Sequence, residues 1–438
     1  MKRIHLLLLG LLVLLPAACT QPTAAPSATL PPPTRTQPAP ADTVTPPPVP
    51  PTVTTTPSPV PSDTLTSLPT ATLEVICPEA ESSSATTLAI QGMILFEKTE
   101  GSGADYKDTI YGMTALSMEP QPVFDTLPQG VFGEFRVSFD GKWLAVRHDD
   151  VLMIANTQEQ ITLPWEYGNW SYFMGSWLAD NQRLVMDPLY EDDDYVHDEI
   201  FILNPFTGYQ ELFAPELPYP EGSYGLIDAF GPTAYYDPTL TRVAYKISEY
   251  ILVLWDLEEG RELWRLVEPN LMLRERAFWS PDGNFMAVTN VIGDHTTPIW
   301  LDENVSFQAL LIDRTGEVVW QDPYPYNEWG QASMRFTWSP NGRYLALYRE
   351  STDGNHARTL ILDTTSMEVL DYCITSYSTK DVIWSPDSQQ FIAWDVLQGT
   401  PLSEDGVFQN ILVDLSRDMV VRLEGISLEP VAWIDTEP

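Results

Sequence analysis

The chain has 438 residues, of which 23 are basic and 61 acidic, for a formal net charge of −38. That balance excludes nucleic-acid binding through phosphate neutralisation, and adhesion to anionic lipid through the protein's own surface. Three cysteines exclude a disulfide-dense scaffold, and all 14 tryptophans follow residue 140, in the part that must build a core.

Residues 1–18 begin with Lys2 and Arg3, run through an apolar stretch at 6–15 and end in Pro16-Ala17-Ala18 before Cys19. A basic start, a short apolar stretch and small residues predict a secretory signal, too short to cross a bilayer. Leu15-Pro16-Ala17-Ala18-Cys19 resembles a bacterial lipobox, with Pro16 standing where that pattern usually has leucine. The resemblance implies lipidation of Cys19 and attachment to the outer side of the cell membrane through that lipid alone. The plainer alternative is a cleaved signal followed by an incidental cysteine. Residues 20–73 hold 16 prolines and 15 threonines, with no glycine and no aromatic residue. Grouped with Cys19 as a 19–73 linker, the stretch buries no core and is expected to be disordered or polyproline II-like. At ~3.1 Å per residue its full extension is on the order of 170 Å, a spacer for a domain at 74–438.

Within that domain, 88–96 and 109–116 read as strands divided by the polar stretch 97–108. Gly92-Met93-Ile94-Leu95-Phe96 matches strands that follow a turn further along, yet no tryptophan-bearing strand precedes it. The turn is clearest at Trp279-Ser280-Pro281-Asp282-Gly283, where Pro281 pre-sets φ for a type I turn and Gly283 takes positive φ after it. It recurs at Trp338-Ser339-Pro340-Asn341-Gly342 and Trp384-Ser385-Pro386-Asp387-Ser388, each before an apolar strand. Looser copies are Val137-Ser138-Phe139-Asp140-Gly141, Trp177-Leu178-Ala179-Asp180-Asn181, Tyr236-Asp237-Pro238-Thr239-Leu240 and the terminal Val431-Ala432-Trp433. The aligned positions 137, 177, 236, 279, 338, 384 and 433 are spaced as propeller blades are. The strand at 428–433 has nothing after it, just as 92–96 has nothing before it. Joining the two predicts an all-β fold, a seven-bladed β-propeller of four-stranded antiparallel blades with no open edge at the closure.

Each repeat also shows a second hairpin, opened by Asn204, Asp256, Asp313, Asp363 or Asp414, residues that bond their own backbone in turns. Together these repeats resemble the TolB-like, WD-like propeller repeats of bacterial envelope proteins, over residues 88–438. The resemblance implies the fold and leaves activity open, because many functions use propellers. The separate N-terminal α/β domain of TolB has no counterpart in the Pro/Thr-rich lead.

In a four-stranded blade the first-to-second and third-to-fourth turns share one face, and the remaining connections share the other. All the short turns above fall in the first set. The long insertions fall in the second: 97–108, 162–175, 187–198, 214–233, 291–305, 321–333, 349–357 and 396–407. Variable loops on a rigid scaffold are where binding residues are usually carried, so the ligand is expected on that face. Trp165, Tyr167, Trp170 and Tyr172 lie in one connection, and Tyr324, Tyr326 and Trp329 in another. They suit stacking on a sugar or anchoring a peptide, against the plainer alternative of packing over a blade interface. Glu191-Asp192-Asp193-Asp194, with Asp198 and Glu199, forms the densest acidic run, read as a Ca²⁺ site, as a trap for a basic partner or as a solvated loop. The run lacks the alternating spacing that wraps Ca²⁺.

No metal or cofactor is expected, since His148, His197, His295 and His356 fall on different blades without a paired motif. Cys77 and Cys373 are read either as a disulfide or as two free thiols. No Gly-x-Ser-x-Gly is present, so a prolyl-peptidase-like hydrolase is not expected. The expectation is a binding or scaffold propeller for a protein or glycan. Alternatives are a glycan-active enzyme using carboxylates such as Asp187 or Asp198 at the ring's mouth, and an envelope assembly component.

Overall fold

The computed structural model describes residues 73–75, 79–83, 88–100, 107–115, 117–123, 132–148, 151–164, 171–189, 199–219, 234–248, 251–267, 278–292, 306–323, 336–350, 357–376, 382–396 and 408–436. Two short lead strands, β1 (Leu73–Val75) and β2 (Glu81–Ser82), precede the blades. Blade one takes β3 (Met93–Glu100), β4 (Lys107–Thr114) and β5 (Ser117–Pro122). Blade two is β6 (Phe132–Val137), β7 (Leu144–His148), β8 (Val151–Ala155) and β9 (Gln160–Pro164). Blade three is β10 (Ser171–Trp177), β11 (Leu184–Leu189), β12 (Ile200–Asn204) and β13 (Tyr209–Phe213). Blade four is β14 (Ala234–Tyr236), β15 (Arg242–Ser248), β16 (Ile251–Asp256) and β17 (Arg261–Val267). Blade five is β18 (Phe278–Trp279), β19 (Phe285–Ile292), β20 (Ser306–Asp313) and β21 (Val318–Gln321). Blade six is β22 (Phe336–Trp338), β23 (Tyr344–Glu350), β24 (Ala357–Asp363) and β25 (Glu368–Ser376). Blade seven is β26 (Ile383–Trp384), β27 (Gln390–Val396), β28 (Phe408–Asp414) and β29 (Met419–Leu423).

The last strand, β30 (Glu429–Ile434), completes blade one in the order β30-β3-β4-β5. Its register is antiparallel, with Met93 opposite Ile434, Ile94 opposite Trp433 and Leu95 opposite Ala432. The terminal tryptophan-bearing strand therefore supplies the partner that the first apolar strand lacks. The seven antiparallel blades form the propeller that the repeats predict.

Packing closes the same ring. Seven clusters of buried apolar side chains among the described residues each draw on two successive blades. Ile94, Phe96 and Trp433 of blade one meet Ile392, Leu412 and Val421 of blade seven. Leu95, Ile110 and Ile434 on the other side of blade one meet Leu144, Val146 and Met153 of blade two. Both faces of each sheet are thus covered, which is why the inner strands read as continuous apolar runs and not as alternating ones.

The first hairpin departs from the expected bounds. The stretch 88–91 is not strand; Leu88 and Ile90 are instead buried against blade seven. Conversely β3 and β4 run on into the polar stretch read as a divider, with Lys98 opposite Thr109 and Glu100 opposite Lys107. Ladder bonds are made by the backbone, so a polar continuation stays strand while its partner is present.

Candidate functional site

Antiparallel order sets the geometry of the two faces. In the antiparallel order of each blade the described first-to-second and third-to-fourth turns lie at one end, and the strand ends that lead into the other connections lie at the opposite one.

The turn face is built by four copies of one arrangement. Ser138, Ser280, Ser339 and Ser385 are each at most 1% exposed. The hydroxyls donate to Asp140, Asp282, Asn341 and Asp387 Oδ1 at 2.6, 2.6, 2.9 and 2.6 Å. Each serine Oγ also accepts the backbone N–H five residues on, from Trp143, Phe285, Tyr344 or Gln390, at 2.9 Å. The Asp or Asn then accepts the N–H two residues later, as Asp282 does from Asn284 at 3.0 Å. In blade four Asp237 replaces the serine, is 1% exposed and accepts Thr241 N–H and Arg242 N–H at 2.7 and 2.6 Å. Gly283, Gly342 and Gly141 hold φ of 68, 71 and 73°, and Asn181, Ser388 and Leu240 take the same left-handed position. Two of those substitutes bond the preceding blade: Asn181 Oδ1 accepts Asp140 N–H, and Ser388 Oγ accepts Asn341 N–H, at 3.2 and 3.0 Å.

The tryptophans of the repeat act between blades. Indole Nε1 of Trp177, Trp279, Trp338 and Trp384 donates to the carbonyls of Arg136, Tyr235, Phe278 and Thr337 at 3.0, 2.9, 3.0 and 3.2 Å. In each case the acceptor directly precedes the aligned position of the previous blade. Trp433, in the composite blade, donates instead to Gln91 O at 2.6 Å. This stitching gives no sign in a single repeat, because the partner lies about one blade away in sequence.

The second hairpins behave as the sequence indicates. Asn204, Asp256, Asp313, Asp363 and Asp414 each accept backbone N–H groups of their own turn. Three of these carboxylates also meet arginines: Asp256 with Arg242 at 3.0 Å, Asp363 with Arg343 at 2.7 Å and Asp414 with Arg417 at 3.6 Å. Burial alone would raise the Asp363 carboxyl, but hydrogen bonds from Arg343 and Thr365, with the Arg343 charge, hold it below the usual carboxylate range. The Tyr245 phenol, on β15, is pushed up to about 12 by burial and then by the nearby Glu262. Its ring meets Tyr219 edge-on at 5.2 Å.

Most of the residues expected to bind are not among those described. Trp165, Tyr167, Trp170, Asp192, Asp193, Asp194, Tyr324, Tyr326 and Trp329 lie outside the described residues, as do Cys19, Cys77, Asp198, His197, His295 and His356. Tyr172 belongs to β10 opposite Pro188, so it lies on a strand and not in a connection. Asp187 is likewise on β11, opposite Phe173. Among the described residues no group of three or more His, Cys, Asp or Glu side chains is placed to hold a metal ion. Cys373 is held in a disulfide.

Neither a known protein family nor a curated protein matches the sequence. The fold is similar to TolB from Acinetobacter baumannii, at 11% identity and a TM-score of 0.37, over 78% of this chain and 83% of that one. It is also similar to the β-propeller domain of Myceliophteria thermophila Cps50 (Swd1), at 13% identity and 0.36, over 68% and 87% of the two chains. The tricorn protease gives 12% identity and 0.37, over 72% of this chain and 34% of its own. Likeness of that order says nothing of activity or partner. The propeller rests on the chain's own strand pairs and core clusters.

Proposed function

We propose that the protein is a non-enzymatic binding or scaffold propeller, held outside the cell membrane by a lipid on Cys19, that takes a protein or glycan on the face carrying the long connections. One observation supports this choice of face above others. On the turn face the repeated serines, aspartates and tryptophans are consumed by the fold itself, each bonded to its own turn or to the preceding blade. Polar groups so engaged have little left for a ligand, whereas loops are free to vary. In this reading the stacking surface comes from the connection residues Trp165, Tyr167, Trp170, Tyr324, Tyr326 and Trp329. The acidic run at Asp192, Asp193 and Asp194, in a chain of net charge −38, favours a partner with basic groups and speeds its approach at low salt.

The test is a glycan array and an envelope pull-down with the intact chain, Trp165→Ala, Trp329→Ala and the turn-face control Arg261→Glu. The reading expects capture to fall in both tryptophan variants and to survive Arg261→Glu. Capture that survives both and fails in Arg261→Glu reverses the face. Membrane fractionation of Cys19→Ser tests the tether separately, with release from the membrane fraction as the expected result.

A further inference from the structure

Before the first blade, the chain runs along the outside of two others. β1 adds in parallel to β25, the outermost strand of blade six, with Leu73 opposite Val369, Glu74 opposite Leu370 and Val75 opposite Asp371. Ala80 then packs into the core between blades six and seven. β2 adds in parallel to β29, the outermost strand of blade seven, with Glu81 opposite Val421. Ser83 N–H donates to Arg422 O at 3.0 Å, and Ser83 Oγ accepts Glu424 N–H at 3.0 Å. Leu88 and Ile90 enter the cluster between blades seven and one, and Ala89 O accepts Gln390 Nε2 at 3.2 Å. Outer strands of a propeller leave a row of backbone groups open to other chains; here the lead covers two of those rows.

Cys373 sits two residues beyond the last β1 pair. It lies in a bulge, where β25 steps from Asp371 opposite Leu360 to Ile374 opposite Thr359, and its φ is 56°. Its N–H donates to Asp371 Oδ1 at 2.8 Å. Arg358 grips that carboxylate at 2.8 and 2.9 Å and donates to Cys373 Sγ at 3.3 Å. A non-glycine residue keeps a left-handed backbone only where its surroundings over-determine it. Here the carboxylate, the guanidinium and a disulfide at Cys373 all do so.

In sequence, Cys77 follows Val75 by two residues, as Cys373 follows Asp371, the residue paired with Val75. We propose that Cys77 is the disulfide partner of Cys373, and that this bond locks the lead as a clasp over the outer edges of blades six and seven. Closing it needs an incoming protein disulfide: the two thiols give up two protons and two electrons, and the oxidant leaves as two thiols. The clasp therefore closes only in an oxidising compartment. Without the bond, β1 is held by three residues of backbone pairing, and the β25 edge opens to other strands. The inference rests on strand register and on the state of Cys373, and is independent of the ligand reading.

The experiment is peptide mapping of the full chain without reductant, paired with hydrogen exchange before and after a phosphine reductant. The expected map contains one cross-linked pair, Cys77 with Cys373, that reduction abolishes. Reduction is expected to speed exchange at residues 73–75 by about ten-fold or more while β16 and β20 stay unchanged. Cys77→Ser should show the same opening without reductant; should that variant not fold, the reduced wild type decides. Cys373 joined to Cys19 or to a second copy, or found unbonded, overturns the proposal. A Cys77–Cys373 bond whose reduction leaves exchange at 73–75 unchanged overturns the clasp. A Cys19→Ser chain with the pair intact separates the clasp from the tether.

Discussion

The indole N–H of Trp338 donates to the carbonyl of Phe278, 60 residues earlier and one blade back, at 3.0 Å. The same ring stacks on Phe285 with centroids 6.3 Å apart and planes at 15°. One side chain therefore both bonds and packs across the interface between blades five and six. Trp338→Phe keeps most of the packing and loses the bond, so it should cost about 1 kcal/mol. Trp338→Ala loses both, and about 3–5 kcal/mol is expected. Urea unfolding of the two variants measures both terms: a Trp338→Phe chain as stable as the wild type would mean that the bond contributes nothing, and equal costs for the two variants would mean that the packing contributes nothing.

Two glycines separate backbone strain from crowding. Gly283 and Gly260 have φ of 68 and 62°. A Cβ at Gly283 would lie 2.5 Å from Asp237 Oδ2, whereas one at Gly260 meets nothing within 4 Å. Gly260→Ala should cost about 1 kcal/mol, the left-handed penalty alone. Gly283→Ala must also displace a buried carboxylate that four donors hold, and should cost at least about 1 kcal/mol more. Thermal unfolding ranks the pair, and a milder effect at Gly283 would contradict the packing of one turn against the next.

Acid should act through Asp363. Its carboxyl titrates below its ordinary value in the folded chain, so its stabilisation is present above about pH 4 and is lost as pH falls through the folded value. Asp363→Asn keeps an acceptor for Thr365 N–H and removes only the charge facing Arg343. The wild type should therefore be the more stable protein near neutrality, with the gap closing towards pH 3. Because Arg343 is 46% exposed, added salt should narrow the gap as well. A gap that widens in acid would contradict the sign of the shift.

Most of the fold was legible because blade construction is local. The turn at 279–283 fixes two strands through residues at most five apart, and its recurrence counts the blades. Closure was legible too, since an apolar strand without a partner at 92–96 and another at 428–433 imply each other. The lead strands were not. Three residues at Leu73–Val75 and two at Glu81–Ser82 carry no periodicity, and edge addition is decided by strands 296 and 340 positions away, as Leu73 opposite Val369 and Glu81 opposite Val421 show. The inter-blade indole bonds escaped for the same reason. Of the candidate site, Tyr172 shows the limit of reading a connection from loop length: an aromatic next to a loop stays strand while Pro188 pairs with it.

Hydrogen exchange on the native chain tests ring closure most directly. Amides of Met93–Glu97 and Glu429–Ile434, paired through β3 and β30, should exchange as slowly as those of β19 and β23. Removing residues 429–438 should release Met93–Glu97 to rapid exchange. Fast exchange along Glu429–Ile434 in the intact protein, with β3 still protected, would contradict a ring shut by its terminal strand.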